Sequence, residues 1–166
     1  MRYMAKPTEA QLEALRSLLR ARTTLTDRLE TALRGEDLPP LGWFDVLCAL
    51  DEAGEEGLRP RDLGYAVALT PSGLTRMLDR MTAAGLVERK ACPTDRRGYG
   101  VTLTAAGRKT HAMMQPVYLR EVQIAFASLL TDEEARALRE VLDRVSHSAC
   151  AAVGEEPPAE PVRAVA

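Results

Sequence analysis

Apolar residues recur at helical spacing along most of this chain. Between residues 8 and 34 they form a broad face of a predicted helix, which Thr8 and Gln11 begin as a capping box. This face predicts pairing with a second copy, because a single copy has too little chain to cover it. The alternative is a helix packed wholly inside its own domain. Further helices are predicted at residues 41–53, 60–69, 104–130 and, begun by a second capping box at Thr131 and Glu134, from 131 onward.

The stretch from Thr70 to Thr104 predicts a short helix followed by two strands. Thr70 is the expected N-cap and Pro71 the first helical residue, where its missing N–H costs nothing. Gly85 is expected to end the helix. Strands are predicted at 86–91 and 99–103, joined by a seven-residue connector at 92–98. The buried stripe of the helix is predicted to be Leu74, Met77, Leu78 and Met81.

A short helix with a polar outer face, joined to an arginine-tipped hairpin, is typical of a winged helix-turn-helix that reads DNA. The predicted fold class is therefore mainly α with a small β-hairpin wing. Residues 38–103 would form the winged helix-turn-helix. Residues 1–6 and 151–166 are predicted to be disordered, the second segment because it is rich in proline and acidic residues.

Charge is distributed unevenly along the chain. The net charge at pH 7 is −2, which by itself argues against a nucleic-acid partner. Between Leu58 and Lys109, however, there are ten basic and four acidic residues, so this segment carries +6 and the remainder −8. A basic module in an acidic body is typical of a DNA-binding protein whose other surfaces avoid DNA. It also disfavours a winged helix that only docks onto proteins.

Composition indicates the compartment. No apolar run approaches the roughly 20 residues that span a bilayer. Residues 1–6 lack the apolar core of a signal peptide. We therefore expect a cytoplasmic protein with no membrane partner.

The cysteines and histidines do not form a recognisable site. Cys48, Cys92 and Cys150 match no metal motif, and His111 and His147 have no ligand partners at suitable spacing. No metal and no cofactor are expected. Cys48 is interpreted as core packing, and the histidines as core or solvated residues.

The predicted recognition helix offers small and hydrogen-bonding side chains to DNA. A major groove about 12 Å wide admits such a helix. Ser72 and Thr75 can bond phosphates or base edges, and Gly73 lets the backbone approach. Arg76 is the candidate for a bidentate contact to guanine, and Arg80 for a phosphate contact. The alternative, an ordinary solvated face, is disfavoured by the adjoining hairpin.

The hairpin tip carries a second predicted DNA contact. Asp95 can accept hydrogen bonds from Arg97 and hold it extended. Arg97 would then enter the minor groove, where the potential is most negative. Arg96, Arg89 and Lys90 are expected near phosphates. The alternative is an ordinary charged turn.

These residues resemble the DNA-binding region of MarR-type transcriptional regulators. The family pattern has a Ser-x-x-Thr-Arg recognition helix, a Gly-Leu-Val-x-Arg segment, an Asp-x-Arg wing tip and a Leu-Thr-x-x-Gly exit. Here these are Ser72, Thr75 and Arg76; Gly85, Leu86, Val87 and Arg89; Asp95 and Arg97; and Leu103, Thr104 and Gly107. The resemblance extends more loosely over residues 8–148.

The resemblance implies a homodimer joined by the first, fifth and sixth helices, so that 8–34 and 104–150 form a helical dimerisation region. It also implies binding to a double-stranded, pseudo-palindromic operator, with repression the commoner outcome. Small ligands, often phenolic or otherwise lipophilic, would release the DNA from a pocket between the dimer helices and the DNA-binding region. Trp43, Phe44 and Met113 are candidates for lining that pocket.

Two alternatives remain open. The first is a redox-responsive regulator acting through Cys92, because Lys90, Arg96 and Arg97 lie beside that thiol and favour its thiolate. The second is a small enzyme using Cys92 or His111. The sequence has no nucleophile elbow, Gly-rich phosphate loop or paired Cys–His motif, which argues against the enzyme.

Overall fold

A computed structural model describes residues 6–67, 69–92 and 95–152, with the backbone alone at 91–92, 95–98 and 149–152. The described residues form helices and one antiparallel hairpin, so the predicted fold class is confirmed. The helices are α1 (Glu9–Gly35), α2 (Leu41–Ala53), α3 (Pro60–Ala66), α4 (Pro71–Ala83), α5 (Ala105–Ala125) and α6 (Asp132–Ala152), the strands are β1 (Val87–Cys92) and β2 (Asp95–Leu103), and single 3₁₀ turns lie at Gly54–Glu56 and Ala127–Leu129.

Two helices begin at the capping boxes that the sequence predicts. The Thr8 amide donates to Gln11 Oε1 at 2.9 Å, and the Gln11 amide donates to Thr8 Oγ1 at 3.3 Å. At α6 the Thr131 amide donates to Glu134 Oε2 at 2.8 Å, and the Glu134 amide donates to Thr131 Oγ1 at 3.3 Å. Each box satisfies amides that the first helical turn leaves without a partner.

One apolar core joins α2, α3, α4 and the hairpin, which together we call the reading head (residues 41–103). The predicted stripe of α4 is confirmed, since Leu74, Leu78 and Met81 are buried and Met77 is half-buried. The other buried apolar side chains of the reading head include Phe44, Val46, Leu47, Leu50, Leu63, Val87, Val101 and Leu103.

The start of α5 is tied to the root of the hairpin. The Thr104 hydroxyl donates to the carbonyl of Gly85 at 2.6 Å, and its oxygen accepts from the Gly107 amide at 3.0 Å. A Cβ on Gly107 would lie 2.0 Å from the Leu86 carbonyl oxygen, so this close approach requires glycine. The direction of α5 relative to the reading head is therefore set by contact between the start of α5 and the backbone at Gly85 and Leu86.

The hairpin differs from the sequence prediction. Cys92 pairs with Asp95, so the two strands are longer than expected and the predicted seven-residue connector at 92–98 is wrong. Ala91 pairs with Tyr99, and the register shifts between Ala91 and Cys92, so that residues 96–98 have no paired counterpart on β1. A sequence shows the turn-forming residues of such a stretch but not which backbone groups find partners.

Two helices end earlier than predicted. Helix α3 stops at Ala66 rather than near Leu69, whose amide donates to the Gly64 carbonyl at 3.0 Å and closes the turn before α4. Helix α5 stops at Ala125 rather than near residue 130, because Phe126 leaves helical geometry at φ −139° and ψ −62°. Pro116 lies inside α5 without ending it.

The outer helices are poorly covered by the rest of the chain. On α1, Leu12, Leu15 and Leu19 are 39%, 50% and 53% exposed. No residue of α6 between Asp132 and Ser148 is buried. In the described part of the chain, no helix combines the length and apolarity needed to cross a bilayer.

Residues 1–5 and 153–166 lie outside the described residues, so their predicted disorder stays a prediction. The prediction of disorder is wrong for Ala151 and Ala152, which belong to α6.

Candidate nucleic-acid interface and neighbouring cavity

Helix α4 presents a polar face opposite its buried stripe. Ser72, Thr75, Arg76 and Arg80 are exposed on this face, as the sequence predicts, and Gly73 is half-buried. The helix is held against the core by its apolar side and capped at its N-terminus. The predicted recognition residues therefore lie on a helix whose opposite side is packed into the core.

Two of these residues also have local structural roles. The Gly73 amide donates to Thr70 Oγ1 at 3.3 Å, and a Cβ on Gly73 would lie 3.1 Å from that oxygen. The Thr75 hydroxyl donates to the Pro71 carbonyl at 2.9 Å. While this bond is kept, the Thr75 hydroxyl can only accept a hydrogen bond from DNA. At Gly73 a larger side chain would crowd the Thr70 oxygen that caps the helix.

Arg76 and Arg80 are the uncompensated cations of α4. Within the described part of the chain, neither has an acidic partner at ion-pairing distance. They border an open hollow of about 610 Å³, which is also lined by Leu69, Gly73, Met77 and Asp79. Uncompensated guanidinium groups beside a concave surface suit contacts with phosphates or base edges.

The cations of β1 are already paired. The Arg89 Nη2 atom lies 2.5 Å from Asp79 Oδ1 of α4, and its guanidinium lies 5.1 Å from the centre of the Tyr99 ring. Lys90 Nζ lies 3.4 Å from Glu88 Oε1. The predicted phosphate contacts of Arg89 and Lys90 therefore compete with these partners.

The hairpin tip carries the remaining predicted DNA contacts. Asp95, Arg96 and Arg97 belong to β2, but their side chains lie outside the described part of the structure, as does that of Cys92. The bracing of Arg97 by Asp95 and the redox role of Cys92 both stay predictions.

The three residues predicted to line a ligand pocket do not share one environment. Trp43 is half-buried, Phe44 is 1% exposed and Met113 is 51% exposed. The Phe44 ring packs against Tyr118 of α5, with ring centres 4.8 Å apart. Phe44 therefore belongs to the core at the junction of α2 and α5, whereas Met113 faces solvent.

A cavity of about 250 Å³ lies instead between α1 and α5. None of the three predicted residues lines it, although Phe44 packs against one lining residue, Tyr118. Its position depends on which faces of two distant helices meet, which periodicity alone does not show. Its lining consists of Leu25, Arg28, Leu29, Tyr118, Glu121, Val122, Ala125 and Phe126.

An ion network forms the polar side of this cavity. Glu121 Oε2 lies 2.8 Å from Arg28 Nη2, and Glu121 Oε1 lies 3.2 Å from Arg120 Nε. Hydrogen bonds, first from Arg120 and then from Arg28, hold the pKa of Glu121 below its usual range. Arg120 also pairs with Glu36 at 2.9 Å. The cavity thus combines an apolar wall with charged groups at one side.

Cys48 and His111 are buried side by side at the α2–α5 junction. Cys48 Sγ lies 3.4 Å from His111 Nε2, and His111 Nδ1 lies 3.6 Å from Asp51 Oδ2. Motif reasoning missed this pairing because Cys48 and His111 are far apart in the chain. Burial first, and then the carboxylate of Asp45, raises the pKa of Cys48 to about 12. The thiol is therefore neutral at physiological pH, which disfavours a nucleophilic role.

In the part of the chain that the structure describes, no three His, Cys, Asp or Glu side chains are grouped so that they could hold a metal ion.

The fold is that of a winged helix-turn-helix DNA-binding protein, in which α4 occupies the place of the recognition helix and β1 and β2 form the wing. The sequence model of the MarR family matches residues 36–98. The multiple antibiotic resistance protein MarR of Escherichia coli is 30% identical over 125 residues, which are 73% of this chain and 85% of that protein. The chain belongs to the MarR family of transcriptional regulators.

Solved structures support the same assignment. Sco3205, a MarR family regulator from Streptomyces coelicolor solved in complex with DNA, superposes with a TM-score of 0.82 at 27% identity, covering 89% of this chain and 92% of that one. BpsR of Bordetella bronchiseptica, whose DNA binding is regulated by 6-hydroxynicotinic acid, superposes with a TM-score of 0.69 at 26% identity, covering 81% and 98%.

Proposed function

We propose that this chain is a homodimeric, cytoplasmic repressor that binds a pseudo-palindromic operator and is released by a small lipophilic or phenolic ligand. The observation that carries the proposal is the exposed polar face of α4. There, Arg76 and Arg80 have no acidic partner among the described residues. Cations left uncompensated on a recognition helix are suited to DNA.

The division of contacts follows from this geometry. Arg76 is proposed to read a guanine in the major groove, with Ser72 and Thr75 bonding nearby phosphates or base edges. Arg80, one turn further along α4, would contact phosphate. Arg97 is proposed to enter the minor groove from the wing, as its place in the Asp-x-Arg pattern suggests.

The apolar surfaces of α1 and α6 support the homodimer. Leu15 and Leu19 of α1, like Val141 and Val145 of α6, are about half exposed in the single chain. Exposed apolar side chains at helical spacing on two long helices are typical of an interface between identical chains. A two-fold dimer would present two copies of α4 to two half-sites about one helical turn apart.

The cavity between α1 and α5 supports ligand control. Its apolar wall and charged rim suit a small ring compound with one polar or ionisable group. The Bordetella relative is regulated by such a compound, 6-hydroxynicotinic acid. A ligand placed there would contact Tyr118, and through it Phe44 of the reading head.

The proposal is tested by titrating the protein against the DNA that flanks its own coding region at two salt concentrations. Specific binding should weaken steeply with salt, because each neutralised phosphate releases counterions. Footprinting should protect a two-fold symmetric site. Arg76→Ala should cost about 1–3 kcal/mol and relax base preference at one position, whereas Arg80→Ala should reduce the salt slope by about one.

The same complex serves to test ligand control. Adding simple phenols or 6-hydroxynicotinic acid should release the operator. Binding without sequence preference would contradict the proposed operator recognition. If no compound of this chemical class releases the bound operator, the proposed ligand control is wrong.

A further inference from the structure

We propose that Asp79, Arg89 and Tyr99 form a clamp that sets the position of the wing relative to the recognition helix, so that α4 and the wing engage their two grooves together. These are positioning residues for DNA binding, and the inference rests on the proposed DNA contacts of α4 and the wing. It assigns Arg89 a role other than the phosphate contact that its sequence position predicts.

The geometry joins three elements at one point. Arg89 of β1 reaches sideways to Asp79 of α4, with Nη2 and Oδ1 2.5 Å apart. The same guanidinium lies 5.1 Å from the ring centre of Tyr99 on β2. One side chain therefore contacts the recognition helix and both strands of the wing.

The clamp lies between the root and the tip of the wing. At the root, Val87 pairs with Leu103, and Val101 exchanges two backbone hydrogen bonds with Leu58 at 2.8 and 3.0 Å. Beyond Ala91 the register shifts. A two-stranded hairpin twists readily when nothing supports it from the side. The Arg89 contacts supply that support where the hairpin leaves the core.

Charge explains why Arg89 is poorly suited to hold phosphate. The Asp79 side chain is 58% exposed and follows Arg76 on the face proposed to meet DNA. A carboxylate there repels the phosphate backbone, since DNA carries a negative charge at every step. Pairing with Arg89 neutralises Asp79, and at the same time it occupies the Arg89 guanidinium.

The sign of one substitution separates the two roles of Arg89. If Arg89 contacts phosphate and Asp79 merely competes for it, Asp79→Asn should tighten operator binding. If the clamp positions the wing, Asp79→Asn should weaken binding about threefold to tenfold, which lies in the lower part of the range expected for coupling between residues in contact. Glu88→Gln is the matched control, because it removes an exposed acidic charge from β1 outside the clamp. We expect Glu88→Gln to leave binding unchanged or slightly tighter.

Three further measurements separate the clamp from a general loss of structure. The double variant Asp79→Asn/Arg89→Gln should bind no more weakly than the weaker single variant, since both remove one contact. Asp79→Asn should lose protection only at the flanks that the wing covers, whereas the bases under α4 should stay protected as in the wild type. The melting temperatures should stay close to wild type, as exposed ion pairs contribute little to stability.

The outcomes are distinguishable. Tighter binding by Asp79→Asn, or additive losses in the double variant, would overturn the clamp and leave the proposed function intact. A wild-type protein without sequence-preferring binding would overturn both.

Discussion

Helices with similar spacing of apolar residues bury those residues to different extents in two regions of this molecule. In the reading head, α2 and α4 enclose their apolar residues, and Leu47, Leu78 and Met81 are no more than 1% exposed. On the outer helices α1 and α6, Leu19 and Val145 remain about half exposed. Short connections fold the elements of the reading head back onto one another, whereas no element among the described residues buries α6 between Asp132 and Ser148.

Helical periodicity shows which face of a helix must be covered but not what covers it. The C-terminal part of α1 illustrates the point within a single helix. Leu33 is 1% exposed in the core cluster, while Leu12 of the same helix is 39% exposed. Where the chain supplies no cover, a second copy is the occupant that we propose.

A substitution in the core of the reading head should lower the stability of the protein most. Leu78→Ala removes a side chain that is 1% exposed and should lower the free energy of unfolding by about 2–5 kcal/mol, through lost burial and the cavity left behind. Thr82→Ala, an exposed position on the same helix, should change it by less than about 0.5 kcal/mol. Urea unfolding followed by circular dichroism measures both. Equal effects would mean that α4 is not packed as described.

The next effect is at the outer helices. Val141→Glu combined with Val145→Glu places two carboxylates on the apolar face of α6 and should weaken dimerisation at least about a hundredfold, because charges buried without partners are costly. The reading head should keep its fold. Arg139→Glu, exposed on the same helix, is the charge-matched control. Sedimentation velocity over a concentration series measures the change, and a variant that stays fully dimeric would show that α6 is not the interface.

A smaller effect is expected at the junction of α2 and α5, where Cys48 is buried. Burial raises the pKa of Cys48 to about 12, whereas the thiol of the unfolded chain ionises near its ordinary value of about 9. Stability that depends on the neutral thiol is thus complete below about pH 9 and is lost as pH rises toward 12. In a Cys92→Ser/Cys150→Ser background, the protein with Cys48 should lose about 1 kcal/mol more between about pH 7.5 and 9.5 than its Cys48→Ser counterpart.

Unfolding free energies measured at several pH values test this expectation. Parallel pH profiles for the two proteins would show that Cys48 is in contact with water in the folded state.

Much of the fold could be predicted because its signals are local. A capping box such as that of Thr8 and Gln11 joins residues three apart, and the apolar stripe of α4 repeats within one helix. Neither depends on residues far away in the sequence. The wing was predicted less well. The sequence predicts both strands but makes the second too short, because the pairing of Cys92 with Asp95 depends on backbone register, which composition does not specify.

The candidate site divides in the same way. The exposed face of Ser72, Thr75 and Arg76 followed from helical spacing. The cavity between α1 and α5 did not, because it depends on how helices more than eighty residues apart in sequence meet, as Arg28 and Glu121 do. The predicted lining residue Met113 carries the right chemistry but faces solvent.

The presence of the six helices, the two capping boxes, the polar face of α4 and the family could be predicted from the sequence, because these depend on residue types at short spacing. Only the tertiary structure decided that Arg89 is paired with Asp79, that Cys48 lies against His111, and that a cavity opens between α1 and α5. Each of these depends on the distance between side chains on different elements, which is set when the elements pack together.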